Sequence, residues 1–326
     1  MRRRVAVLMG GRSSEHEVSL ASAAAVIAAI DTERHEVIPV LISEDGIWSV
    51  GGEPVAVAVG GDGVGFLASL AGGPPRALDA VFPVLHGPHG EDGTVQGALE
   101  TAGVPYVGAG VASSAIAMDK AMFKVFLRDS GIPTPEHAVV VAGEWERDPE
   151  GVRARVAEVV GYPGFCKPAR LGSSVGISPV PDPGALAGAL ELAFHHDAKA
   201  LVERAISGRE IEVGVLDGLE PLASPVGEIT FDGDWYDYDT KYVPGRSQVQ
   251  VPAESPRRPP TVRASWPCGP SRPSTAPGSH ASTSSSPTTA RCCSRSSTRC
   301  PASPRRASTR ACSRRPESTT PISSPV

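Results

Sequence analysis

Val5-Ala6-Val7-Leu8-Met9-Gly10-Gly11-Arg12-Ser13-Ser14-Glu15-His16-Glu17-Val18 decides the fold class. Five apolar residues in a row, closed by two glycines, fit a strand buried on both faces that runs into a tight turn. A helix is expected next: Ser13-Ser14-Glu15 offers cap residues, and Val18, Leu20, Ala21, Ala24, Ala25, Ile27 and Ala28 recur at helical spacing. Working outward, residues 35–42 and 80–85 read as further strands, and 95–102 as a helix behind the glycine-rich turn at 90–93. This alternation predicts an α/β domain with a mainly parallel sheet. A helical pattern over 112–129 is stopped by Gly131-Ile132-Pro133-Thr134-Pro135, where a new domain begins. Within it, 164–168, 175–180, 200–203 and 211–216 read as strands and 183–194 as a helix, while 170–176 is a glycine-serine loop and 235–242 an aromatic, acidic loop.

Composition divides the 326 residues into two different polymers. From Ser255 onward there are twelve arginines, no lysine and one acid, Glu317, a net charge of +11. Residues 1–254 hold 19 basic and 35 acidic residues, a net of −16. The last 72 residues contain 18 serines and 13 prolines and almost no Val, Ile, Leu or Phe. Such a segment cannot bury enough apolar surface to offset ordering entropy, so the tail is expected to be disordered. Cys166 is the only thiol before the tail, which argues against a disulfide framework and fits a reducing compartment. No apolar run reaches the ~18 residues of a membrane span, and the apolar stretch after Arg2-Arg3-Arg4 is too short for a signal-peptide core. The expectation is a cytoplasmic protein without a membrane partner.

Chemistry concentrates around Arg170-Leu171-Gly172-Ser173-Ser174-Val175-Gly176, with Lys167 just before it. Successive small residues let backbone N–H groups converge on an anion, and a lysine adds a point charge. A Gly-Ser hairpin without a ligand has the same composition, and the loop lacks the Lys-Ser/Thr ending of a Walker motif. Lys120 starts a helix and fits either a phosphate contact or a solvated surface. Glu203 and Glu210 fit either acceptors for an adenine amine and ribose hydroxyls or solvent-facing acids.

Gly10-Gly11-Arg12-Ser13-Ser14-Glu15-His16-Glu17-Val18-Ser19 resembles the opening signature of the D-alanine:D-alanine ligases of the ATP-grasp superfamily. Leu85-His86-Gly87, Gly90-Glu91-Asp92-Gly93-Thr94, Tyr106-Val107-Gly108, Met118-Asp119-Lys120, Lys167-Pro168 with Gly172-Ser173-Ser174-Val175-Gly176, and Tyr236-Asp237-Tyr238 with Lys241-Tyr242 agree in order. The resemblance covers residues 1–254. It implies an ATP-grasp fold behind a Rossmann-like pre-ATP-grasp domain, with a substrate domain at 1–111, a central domain at 112–208 and the start of a C-terminal domain at 209–254. It implies ATP and Mg2+ as cofactors, D-alanine as substrate, a homodimer, and a dipeptide made through an acyl phosphate for peptidoglycan synthesis. Lys120, Lys167 and Lys241 would contact phosphates together with Gly172, Ser174, Val175 and Gly176 of the loop. Glu203 would face the adenine and Glu210 the ribose. Glu15 would hold the ammonium of the first D-alanine, with His86 near its carboxylate, and Ser173 and Tyr242 would complete a hydrogen-bonded closure with Glu15. Tyr242 resembles the dipeptide-forming members rather than those that make the D-lactate ester.

After Glu254 the resemblance stops. The family supplies an Arg and an Asp on one strand and a Glu-x-Asn further on, for the oxyanion and magnesium, and none of these follows in the chain. Residues 297–303 can be encoded as TCA ACA CGA TGC CCG GCT TCA, which from the third base reads Asn-Thr-Met-Pro-Gly-Phe, a family motif. Residues 279–285 can likewise yield Ala-Arg-Val-Asp-Phe-Phe in the same shifted frame. A frameshift near residue 254, biological or introduced in sequencing, accounts for both, and it leaves the chain without metal ligands. Two other readings compete: a different ATP-grasp carboxylate-amine ligase, against which Glu15, Ser173 and Tyr242 argue, and a nucleic-acid-binding protein using the +11 tail. The acidic body and the lack of aromatic residues in the tail apart from Trp266 disfavour the second. Resequencing the gene across codon 254 is expected to reveal an insertion or deletion. An unbroken frame there would refute a sequencing error.

Overall fold

The computed structural model describes residues 2–60, 65–218, 220–243 and 245–254, with Asp217 by its backbone alone, and the backbone of His280–Ser282. The described residues fall in one compact unit. The chain opens with β1 (Arg3–Gly10), α1 (His16–Ala29) and β2 (His35–Ile42), followed by β3 (Trp48–Val50), β4 (Glu53–Val59), β5 (Gly65–Ser69), β6 (Arg76–Ala77) and β7 (Ala80–Pro83). These seven strands form one sheet in the order β6-β5-β4-β3-β2-β1-β7. β1 runs parallel to β2 and to β7, as expected, whereas the other four pairings are antiparallel. The parallel sheet is therefore a three-stranded core extended by an antiparallel meander.

β1 is covered on both sides. Ala6 and Leu8 join Val40, Leu67, Val81 and Leu99 in one cluster, while Val7 packs with Ala23 and Val84 beneath α1. That is why the run from Val5 to Met9 is apolar without alternation. The helix α1 departs from expectation: its buried positions are Ser19 and Ala23, and Ala21, Ala24, Ala25 and Ala28 face solvent. An alanine-rich helix has no strongly apolar side, and Ser19 fixes its rotation by donating to Val84 O and accepting from Gly10 N at 2.9 Å.

Past α2 (Thr94–Thr101), the expected single helix over 112–129 is two, α3 (Val111–Met118) and α4 (Lys120–Asp129). Asp119 breaks it. Its backbone is extended and its carboxylate accepts from Ala121 N at 3.0 Å and Met122 N at 3.1 Å, an N-cap. Next come β8 (His137–Val141), α5 (Ala142–Arg147), α6 (Pro149–Val159), β9 (Gly164–Pro168), β10 (Ser178–Val180), a 3-10 turn at Pro183–Ala185, α7 (Leu186–Phe194) and β11 (Lys199–Arg204). The strands make an antiparallel sheet in the order β10-β9-β11-β8. Val152, Val156, Leu186 and Leu190 of α6 and α7 cover one face, and Ala121 of α4 packs on Leu201 at the other. Cys166 lies in the first of these layers, where burial pushes its thiol up to about 12 and leaves it inert.

The strand expected over 175–180 shrinks to its last three residues, because Val175 N and Ile177 N turn back onto Gly172 O and Ser174 O. The strand expected over 211–216 splits into β12 (Glu210–Glu212) and β13 (Val215–Asp217). At the break, Gly214 N donates to Ser224 Oγ at 2.9 Å. Further on are β14 (Leu222–Ala223), β15 (Gly227–Phe231), α8 (Tyr238–Tyr242) and β16 (Ser247–Gln250), so the aromatic loop expected at 235–242 is helical in its second half. β12, β15 and β16 form one small antiparallel sheet. The disorder expected for residues 255–326 lies outside the described residues, except at β17 (His280–Ser282), whose backbone pairs with β13 and is a strand instead.

Candidate active site

The Gly10-Gly11 turn, with both residues at positive φ, delivers Glu15 to the start of α1. Glu15 occupies the cap position without capping; Ser13 Oγ instead accepts from Glu15 N at 3.2 Å and donates to His86 O at 2.6 Å. The carboxylate, 2% exposed, reaches across the chain. Oε1 accepts the hydroxyl proton of Ser173, and Ser173 Oγ lies 2.5 Å from the Tyr242 hydroxyl. Oε2 is buried with no hydrogen-bond partner, facing Gly87 and Gly172, where an added Cβ would come within 2.4 and 3.1 Å of it. A polar atom left this way calls for a ligand donor. His86 sits beside it, with Nε2 3.3 Å from Ser22 Oγ; burial lowers its pKa, against the pull of Glu15, and favours the neutral ring.

Ser173 and Ser174 hold φ values of 49° and 61°, an uncommon left-handed conformation for residues with a Cβ. Ser174 Oγ donates to Tyr236 O at 3.0 Å. The loop is thus fastened to the segment that carries Tyr242. The N–H of Val175 is taken by Gly172 O at 3.1 Å and is turned away from any ligand in this conformation.

The cations converge. Lys120, at the first position of α4, donates to Pro168 O at 3.3 Å and to Leu171 O. Burial first, and then the charges of Lys167 and Lys241, depress its pKa to about 8. Lys241, 5.0 Å above the Tyr236 ring, is also lowered to about 8 by burial, although Glu15, Glu210 and Glu212 pull the other way. Lys167 projects from β9 onto Glu203 of β11, and Lys124 of α4 takes the second carboxylate oxygen at 2.8 Å. Burial opposes ionisation of Glu203, but the two ammonium groups outweigh it and hold the carboxyl at about 2. Glu210 is buried on β12 near Lys241.

Every residue singled out in the sequence therefore falls in one region, and two were missed. Lys124 lies one helical turn after Lys120, a spacing that puts both on one face of α4. Asp197, 3% exposed in its side chain, binds Arg170 at the start of the serine loop. No pattern marks it in the sequence. Trp235 and Tyr238 are packing residues, with rings 5.6 Å from Phe165 and 4.9 Å from Tyr242.

Comparison with known proteins shows the family of the chain. The family described as "D-ala D-ala ligase N-terminus" matches residues 4–63 and 68–109, and "D-ala D-ala ligase C-terminus" matches 126–260. A D-alanine--D-alanine ligase of Deinococcus radiodurans is 49% identical over 264 residues, 78% of this chain and 76% of that protein. One from Geobacillus kaustophilus is 42% identical over 271 residues, 78% of this chain and 74% of that protein. Among solved structures, the VanG D-Ala:D-Ser ligase of Enterococcus faecalis superimposes with a TM-score of 0.67 at 34% identity, covering 78% of each chain. The D-alanine-D-alanine ligase of Coxiella burnetii gives 0.63 at 34% identity, covering 70% and 71%.

Glu203→Gln leaves Lys124 and Lys167 without a buried counter-charge and is expected to cost about 3–5 kcal/mol in urea unfolding at neutral pH. Because the folded-state carboxyl is held below its ordinary value of 4.5, its contribution is present above that value and fades as pH falls toward 2. The loss on substitution should shrink over that interval. A loss independent of pH would disprove the electrostatic origin.

Proposed function

The chain belongs to the D-alanine–D-alanine ligase family, and from that premise we propose that residues 2–254 bind ATP and the first of two D-alanines for an ATP-dependent ligation. That reaction supplies peptidoglycan precursors. The observation that carries the reading is the chain Glu15–Ser173–Tyr242, three segments far apart in sequence that close around an unsatisfied carboxylate oxygen.

In this reading Glu15 Oε2 accepts from the D-alanine ammonium, and neutral His86 lies beside the substrate carboxylate. That carboxylate attacks the γ-phosphorus of ATP, ADP leaves, and an acyl phosphate forms. The amine of the second D-alanine then attacks the acyl carbon, losing a proton as phosphate departs, to leave the dipeptide. Two anions must meet in the first step, so positioned cations lower its barrier. Lys120, Lys167 and Lys241 supply them, with the small residues Gly172, Ser174 and Gly176 admitting the phosphates. Glu203 stays ionised as an acceptor for the adenine amine, and Glu210 binds the ribose hydroxyls. Val175 contributes shape rather than its N–H.

Magnesium does not fit the residues present. Among the described residues no three His, Cys, Asp or Glu side chains converge as a metal site, and Glu317 is the only acid after residue 254. A hard dication needs several oxygen ligands. The chain as printed is therefore read as nucleotide-binding but unable to complete ligation, its C-terminal domain displaced by a frameshift. Domain limits at 111, 208 and 254, a cytoplasmic location and a homodimer belong to the same reading. No helix among the described residues is long and apolar enough to cross a membrane.

A version restored to frame is expected to release ADP only when D-alanine is supplied, measured by a coupled assay, and the printed chain is expected to bind ATP without that release. Failure of the restored enzyme to consume nucleotide would overturn the assignment. Binding should also be pH-linked. Lys120 and Lys241 are depressed from 10.5 to about 8, so part of each population is neutral near pH 8, and phosphate favours the charged form. ATP binding is expected to take up protons there and to weaken as pH rises from 8 toward 10.5, which calorimetry in buffers of different ionisation enthalpy resolves.

A further inference from the structure

Both ends of the serine loop lie against one segment, residues 195–199, at the junction of α7 and β11: the first is hydrogen-bonded to it and the second packs closely on it. At the first end Arg170 makes three hydrogen bonds to Asp197: its backbone N to Oδ2 at 2.9 Å, Nε to Oδ2 at 3.1 Å and Nη2 to Oδ1 at 2.7 Å. Asp197 is itself fixed, since Oδ1 also accepts from Lys199 N at 3.2 Å and its side chain is 3% exposed. At the second end Gly176, with φ +69°, lies so close to His196 that a Cβ there would come within 2.6 Å of the imidazole. The neighbouring backbone is tied to the same place, Ala169 N donating to Lys199 O at 2.9 Å and Lys120 N to Ala169 O at 2.9 Å. Between these anchors stand Ser173 and Ser174 in a conformation that side chains seldom adopt unaided.

We propose that Asp197 is the positioning residue of this loop: through the two-pronged contact with Arg170 it sets the left-handed Ser173-Ser174 step that carries the serine hydroxyl to Glu15 and Tyr242. The geometry separates this role from general support of the fold. A carboxylate that only capped the turn would need Lys199 N alone. This one spends both oxygens on a guanidinium whose other side is open to solvent, the Arg170 side chain being 57% exposed. A planar fork held by two parallel bonds fixes direction as well as distance, which a lysine at the same position cannot do. Arg170 further feels Asp119, which caps α4 ahead of Lys120, and Asp92 of the glycine-rich turn. The contact that orients the anchor is the one with Asp197.

The proposal rests on the reading of residues 170–176 as the loop over the substrates, and the experiment keeps the two apart. Hydrogen exchange read by mass spectrometry on the full chain compares wild type, Arg170→Gln, Arg170→Lys and Asp197→Asn, each with and without ATP. In Arg170→Gln the amides of 171–176 are expected to exchange about tenfold faster without nucleotide, because local opening of the loop becomes easier, while β1 and β11 are unchanged. Arg170→Lys should fall between the two, and Asp197→Asn should match Arg170→Gln. Trp235 lines a cavity of about 500 Å³ with Ser174 and Gly176. Its emission, isolated by difference against Trp235→Phe, should shift to the red in the same variants. Should Asp197→Asn also loosen β11, Arg170→Gln decides alone, because it removes a largely exposed side chain. Unchanged loop exchange in Arg170→Gln overturns the proposal. Loop exchange that ATP fails to slow in wild type counts against the nucleotide reading and leaves the anchor standing.

Discussion

Like charges gathered away from water are tolerated only where carboxylates and dipoles are fixed among them. Burial, and after it neighbouring positive charge, depresses Lys120 and Lys241, with Lys167 acting on both and Lys241 on Lys120. Glu203 answers this from β11 by binding Lys167 and Lys124 with separate oxygens, and main-chain carbonyls of Pro168 and Leu171 answer it for Lys120. A sheet and a helix are needed to hold these groups together: β9 and β11 pair Lys167 with Leu201, so that Lys167 reaches Glu203 two positions further along β11, and α4 brings Lys120 and Lys124 to the same face. The chain has stored positive potential where an anion would otherwise have to supply its own compensation, which is the condition for stabilising phosphate without reorganisation.

The surroundings of Glu15 follow a complementary logic. Glu15 offers one oxygen to Ser173 and, among the described residues, keeps the other unpaired in the interior. The glycines at 87 and 172 leave room beside that oxygen, because a side chain at either position would crowd it. The loop thus links two groups of contacts, Arg170 with Asp197 at its start and Ser173 and Ser174 with Tyr242 and Tyr236 further along.

Those residues differ in how far the sequence reveals them. Val5–Met9 is legible because burial on both faces removes the alternation that would leave a one-sided strand ambiguous. The serine loop is legible because its composition serves few other purposes. The rotation of α1 is not, since alanines on all sides leave the decision to one serine hydroxyl bonding Val84 and Gly10. β4 and β5 are missed because Glu53–Val59 alternates only between valine and small residues, a weak contrast. The break at Asp119 carried a readable signal, an aspartate that suits a cap better than a helix interior. The family resemblance names Glu203 as a site residue, but its sharing between Lys167 and Lys124 depends on strand pairing that joins residues 36 positions apart. The anchor at Asp197 likewise exists only after β9 and β11 have paired.

The same dependence on pairing bears on the proposed frameshift. Leu222 and Val249, 64% and 65% exposed, and Val251 lie on or beside the small sheets near the end of the matched region. Apolar side chains at these positions make sense if further chain is meant to cover them. An arginine, serine and proline sequence with three valine or isoleucine residues in 72 cannot do so. Among the described residues β14 and β16 are edge strands carrying exposed Leu222 and Val249, the arrangement that favours association with other chains. If the frame changes after residue 254, as proposed, the change costs more than carboxylates for a metal: it also costs a layer for these strands to pack against.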